Sequence, residues 1–100
     1  MLKIHKQANA ENDLVDIWVY SLERWGLTQA DQYVDNLEES IKTIAANPKL
    51  GTACDYVREG YRKLHVKEHY VFYKLTLDTL HIIRVLGDEM DYQEVLESEE

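Results

Sequence analysis

His65 and His69 are the one closely spaced pair of potential metal ligands in this 100-residue chain, and a metal centre needs such groups to converge on one point. They flank an expected strand-to-strand turn, so the pair reads as two polar residues at the mouth of a hairpin. Nucleophilic catalysis fares no better. Ser21 and Ser40 fall inside helical patterns and Ser98 near the C-terminus, away from any sharp elbow beside a base. Cys54 has no neighbouring base to activate its thiol and reads as a small apolar loop residue. Glu38-Glu39 and the C-terminal acids lie on solvated faces, and only burial would raise a carboxyl pKa for acid-base work. The four glycines are isolated, so no phosphate-cradling loop is present. No catalytic residue, metal or cofactor is expected.

The basic residues Arg58, Arg62, Lys63, Lys67, Lys74 and Arg84 resist so plain a reading. Arg84 is hemmed by Ile82, Ile83, Val85 and Leu86, so its guanidinium must snorkel to an edge or find a carboxylate or carbonyl partner. A structural ion pair satisfies that need. So does a groove lined by Arg62 and Arg84 that receives an acidic or carbonyl-rich partner.

The elements that must position these residues are legible. Period-2 alternation predicts a strand over residues 2–6. From Asn9 a helix follows, with Leu14, Trp18, Leu22 and Trp25 at helical spacing, Glu11 and Asp13 at its positive end, and Gly26 as its C-terminal stop. Thr28 and Asp31 look like a capping box for a second helix, whose apolar stripe is Ala30, Tyr33, Val34, Leu37, Ile41 and Ile44 and which ends at Asn47-Pro48. The connection is short enough to force an antiparallel helical hairpin. Residues 49–56 read as a loop. Three runs rich in Val, Ile, Tyr and Phe then predict a meander over 57–66 (Gly60 as a bulge), 70–76 and 80–86. In the last run Leu80, Ile82, Arg84 and Leu86 share one face and His81, Ile83 and Val85 the other. Both faces are apolar. The hairpin can cover one, so a C-terminal segment or a partner must shield the other. Residues 92–96 form one or two helical turns with Val95 and Leu96 inward, and 97–100 fray. The fold class is therefore α+β: a short N-terminal strand and an antiparallel helical hairpin packed on a small antiparallel sheet completed by a three-stranded C-terminal meander.

The size predicts a single domain over residues 1–100, and an apolar content of 45% suffices for a core. There is no apolar run long enough for a bilayer and no signal-peptide pattern, so membrane association and export are not expected. With a lone cysteine, a reducing cytoplasm is the expected setting. The net charge of −8 argues against direct nucleic-acid binding. Its distribution is uneven: residues 51–86 carry six basic and four acidic side chains, whereas residues 87–100 carry none and seven. Residues 88–100 are an acidic, partly frayed tail.

The order Asn-Pro-Lys-Leu-Gly (47–51), Arg-Glu-Gly-Tyr-Arg-Lys (58–63), Tyr-Val-Phe-Tyr (70–73) and Ile-Ile-Arg-Val-Leu (82–86) followed by Met90-Asp91 resembles the ParE toxins of type II toxin-antitoxin modules, in the RelE/ParE superfamily. The likeness runs from Leu2 to Asp91 and includes Trp25-Gly26 between the helices. It implies a non-enzymatic toxin that inhibits DNA gyrase by binding and is neutralised by an antitoxin that pairs a ribbon-helix-helix part with an extended tail. The implied target- or antitoxin-binding residues are Arg62, Arg84, Leu86, Met90, Asp91, Tyr61, Trp18 and Trp25, on the hairpin and the sheet face. Gly87-Asp88-Glu89 departs from the family, many of whose members have His after Arg-Val-Leu. Two alternatives follow from the same likeness. The RelE branch cleaves mRNA in the ribosome, which would recruit Tyr92. An attenuated relative would keep only antitoxin binding, its acidic tail lying over the basic sheet face.

Overall fold

The computed structural model describes residues 2–98. Strand β1 (Lys3–Lys6) leads into α1 (Ala8–Trp25) and α2 (Leu27–Ala46), then β2 (Thr52–Ala53), β3 (Arg62–Val66), β4 (His69–Leu75), β5 (Thr79–Gly87) and a short helix α3 (Tyr92–Glu97). The sheet order is β1-β5-β4-β3-β2. The expected antiparallel meander is β3-β4-β5, and β2 extends it with two further antiparallel pairs. β1 instead joins β5 in parallel, with Ile4 opposite Leu80 and Lys6 opposite Ile82, so the five-stranded sheet is mixed. Such a pairing needs a long crossover, and the helical hairpin supplies it.

A single residue separates the two helices. Gly26 has φ +90° and ψ 175°, a backbone state that glycine adopts without the penalty a Cβ would incur. Its N–H donates to the Leu22 carbonyl and its carbonyl accepts from the Ala30 N–H. No side chain caps α2, so the Thr28–Asp31 capping box does not form. Asp31 accepts from the Trp18 indole N–H at 2.9 Å and ties the hairpin together instead. The stripe expected on α2 is the one that packs, with Leu37, Ile41 and Ile44 in the core. On α1 the buried residues are Ala10, Leu14, Ile17 and Ser21. Leu14 is thus correctly placed, but Trp25 is turned outward.

Residues 57–61 form turns rather than the start of β3. The Asp55 carboxylate accepts from the Gly60 N–H at 2.7 Å, and Gly60 has φ +86°. The bulge lies in β5: Tyr73 pairs with Ile82 but Phe72 pairs with Arg84, leaving Ile83 as the extra residue. One inserted residue inverts the alternation beyond it. Leu80, Ile82 and Val85 accordingly pack with the helices, while Ile83 and Leu86 join the opposite face. That second face is not bare. Leu96 of α3, Cys54 and Val57 are buried against Phe72, Ile83 and Leu86, with Tyr61, Tyr70, Tyr92 and Val95 packed around them. The inward turn of Leu96 was legible in the sequence. The shield is part of the chain, and burying one leucine of this kind contributes about 1.5–3 kcal/mol.

Candidate functional site

Arg84 does not share a groove with Arg62. Its Nε and Nη2 donate to the two Asp13 carboxylate oxygens at 2.7 and 2.8 Å, and Asp13 Oδ2 also accepts from the Val85 N–H at 2.9 Å. A bidentate charge-assisted pair between α1 and β5 is what the guanidinium fork favours. Arg62 serves another place. Its Nη2 donates to the carbonyls of Gly51 and Lys49 at 2.5 and 3.2 Å, strapping the loop after α2 to β3. Both arginines are committed within the fold.

The remaining expected residues fall into three groups. Arg84, Leu86 and Met90 line a cleft with Asp13, Asp16, Ile17 and His69. Leu86 is buried there and Met90 is half exposed. Asp91 caps α3 by accepting from the Glu94 N–H at 3.2 Å, and Tyr61 packs beneath that helix. Trp18 and Trp25 sit on the hairpin. Trp25 meets Tyr20 edge-on, with the Arg24 guanidinium over both rings. Between α1 and α2, Leu14, Val15, Trp18, Val34 and Glu38 line a cleft of about 280 Å³. Val15, Val19, Tyr20, Trp25 and Leu27 all leave large apolar surface in solvent. Of the two apolar surfaces expected from sequence, the sheet face is covered by α3 and the hairpin surface is exposed.

A cation-aromatic cluster under α3 was missed from sequence. The Lys63 ammonium lies 4.7 Å from the Tyr70 ring centroid and 5.0 Å from that of Tyr92, and the Tyr56 and Tyr92 hydroxyls are 2.7 Å apart. Desolvation lowers the Lys63 pKa, but the Tyr92 hydroxyl and the surrounding phenols outweigh it and hold the ammonium above its ordinary value. The Tyr56 phenol is raised by its bond to Tyr92. Lys63 is thus a fixed cation, suited to clamping an anion and unsuited to acting as a base. Burial likewise raises the Cys54 thiol, which keeps it protonated and unreactive.

His65 and His69 part company, as a hairpin mouth requires. His65 Nε2 meets Asp88 at 3.0 Å. The Tyr33 hydroxyl accepts from the Glu68 N–H and lies 2.6 Å from His69 Nδ1. Burial lowers the His69 pKa, opposed by the charges of Asp88, Glu68 and Asp13. The folded state therefore binds fewer protons than the unfolded chain just below the ordinary histidine pKa of about 6.5. Stability is complete above that pH and should decline as pH falls through the lowered value. Urea midpoints measured between pH 7.5 and 5 should drop, and His69→Gln should flatten that limb; an unchanged slope in the variant would assign the drop to other groups.

The chain matches the model of the ParE toxin of the type II toxin-antitoxin system parDE over residues 2–92. It is 45% identical over 83 residues to Toxin ParE1 of Mycobacterium tuberculosis, covering 82% of this chain and 85% of that one. It is 42% identical over 82 residues to Toxin ParE1 of Caulobacter vibrioides, covering 82% and 84%. In three dimensions it superposes on a chain of the chromosomal ParDE toxin-antitoxin system of P. aeruginosa with a TM-score of 0.78 at 19% identity, covering 89% of this chain and 98% of that one. By sequence, the chain belongs to the ParE toxin family of type II toxin-antitoxin systems.

Proposed function

We propose that this chain arrests its host by binding DNA gyrase and is silenced by a cognate ribbon-helix-helix antitoxin seated on the α1–α2 hairpin. The observation that carries the antitoxin half is the apolar cleft between Leu14, Val15, Trp18 and Val34, flanked by exposed Val19, Trp25 and Leu27. Contiguous exposed apolar surface of this kind marks a protein-docking site. The gyrase half rests on family membership, and the cytoplasm is where both partners would meet.

Induction without antitoxin should stop growth with filamentation, and purified protein should block supercoiling. Harmless soluble protein, or unimpaired supercoiling, would refute the gyrase reading. Val15→Asp places a carboxylate in the cleft and should weaken binding of the cognate antitoxin by at least about 2 kcal/mol, the size of an interface hot spot. Calorimetric titration checks this, and unaltered affinity would move the docking site elsewhere.

One observation favours a second reading. Lys63, Tyr56 and Tyr92 converge on the sheet face, an arrangement able to clamp a phosphate and move a proton as a ribosome-dependent endoribonuclease would. α3 lies across it, and residues 87–100 add seven acids and no base, which repel a phosphate backbone. Primer extension on translated messages after induction tests this reading, and intact messages would exclude it.

A further inference from the structure

We propose that His5 and His81 form a two-ligand site for a late first-row transition-metal ion, Cu(II) tightest, that ties the N-terminal edge strand to the sheet. The residues lie 76 positions apart in sequence, and the parallel β1–β5 ladder makes them direct register partners. Their ring centroids are 5.7 Å apart. Two imidazoles bound through nitrogen to one ion at about 2.0–2.1 Å place their centroids roughly 4.5 Å apart at the right angle of a tetragonal copper site and roughly 5 Å apart at a tetrahedral angle. The backbone brings the pair to within about 1 Å of that separation. The rings stand edge to face at 75°, and rotation of the exposed His5 imidazole about its broad terminal torsion brings the lone pairs together.

A supporting contact prepares His81. The Thr76 hydroxyl lies 3.0 Å from His81 Nε2 and donates to the Thr79 carbonyl at 3.5 Å. In the tautomer in which Thr76 Oγ1 accepts from Nε2–H, the Nδ1 lone pair is left for a metal. Outer-shell bonds of this type fix the tautomer of ligating histidines. Lys74 is the register partner of His81 on β4, and Lys3 of β1 pairs with Asp78 at 3.6 Å. These ammonium groups oppose a dication and Asp78 partly offsets them, so the site is of modest affinity. No group of three or more His, Cys, Asp or Glu side chains converges among the described residues, so the other coordination positions would hold water. Imidazole pairs select copper, nickel and zinc over magnesium and calcium, with copper ahead of nickel and zinc.

The test is calorimetric titration of the whole chain with Cu(II), Ni(II) and Zn(II) chlorides, alongside thermal unfolding with and without each ion. Saturable one-to-one binding is expected, with Cu(II) strongest, and the unfolding midpoint should rise because the folded state alone presents the pair. His5→Ala and His81→Ala should each abolish the rise, and Thr76→Val should weaken binding roughly tenfold. His65→Ala should leave binding unchanged. Absence of saturable binding would overturn the proposal. So would affinity that survives His81→Ala, which puts the ion on His5 alone, or affinity lost in His65→Ala. Circular dichroism of each variant separates loss of the site from loss of the fold.

Discussion

Asp13→Ala should lower folding stability by about 3 to 5 kcal/mol, the range for removing one partner of a buried ion pair. The Asp13 and Arg84 side chains keep only 12% and 17% of their surface in solvent, so the dielectric screening that makes surface bridges nearly neutral is largely absent. Two costs add. The Arg84 guanidinium loses its carboxylate, and the Val85 N–H loses its acceptor on the side of β5 that β1, ending at Lys6, does not reach. The carboxylate substitutes there for the carbonyl that another strand would offer. Asp13→Asn keeps the shape but sets an amide donor or a neutral oxygen against the guanidinium, and should lose most of the same energy. The double variant Asp13→Leu/Arg84→Met removes both charges and should recover much of the loss, short of the roughly 1–3 kcal/mol for the unsatisfied Val85 N–H. Urea denaturation of the wild type, Asp13→Leu, Arg84→Met and the double variant measures the coupling. A single-variant loss within about 1 kcal/mol would mean that the pair behaves as a surface bridge.

How much of this was legible in the sequence depends on the range of the interaction. Local periodicity placed α2, the core of the meander and the inward turn of Leu96, because each depends on neighbours a few residues away. Asp13 was visible only as an acid favoured by a helix dipole. Its structural role involves Arg84, 71 residues on, and no local pattern encodes that distance. The same limit hid the parallel β1–β5 pairing, and with it the juxtaposition of His5 and His81. The β5 bulge misled the face assignment at Val85 and Leu86, beyond the inserted residue, since alternation read from sequence assumes an unbroken ladder. The outward turn of Trp25 was hidden for a different reason. Trp25 matches the helical period but lies outside on α1, and periodicity alone cannot distinguish an apolar residue that packs internally from one that awaits a partner. The site was therefore half readable: the sequence implied that the chain grips a protein, while which apolar face remains free required the sheet order and α3.

Gly51→Ala should cost about 3 kcal/mol or more, at the upper end of overpacking effects, and the reason is space rather than backbone conformation. A Cβ at this position would stand 2.6 Å from the Lys63 carbonyl oxygen and 2.6 Å from the Tyr73 hydroxyl. The hydroxyl is itself fixed. It donates to the Pro48 carbonyl at 2.8 Å and accepts from the Gly51 N–H at 2.9 Å, while Arg62 holds the Gly51 carbonyl from the other side. The strap thus joins the end of α2 to β3 and β4 through a fully buried tyrosine. Tyr73→Phe alone leaves a buried N–H and carbonyl without their partner and should cost about 1–3 kcal/mol. The informative comparison is the double variant Gly51→Ala/Tyr73→Phe. If the hydroxyl were the only obstacle, its removal would relieve most of the alanine's cost. Because the Lys63 carbonyl belongs to the β3 backbone, which cannot swing aside, the double variant should remain at least as unstable as Gly51→Ala. Chemical denaturation decides between these outcomes, and substantial rescue would show that β3 yields at Lys63.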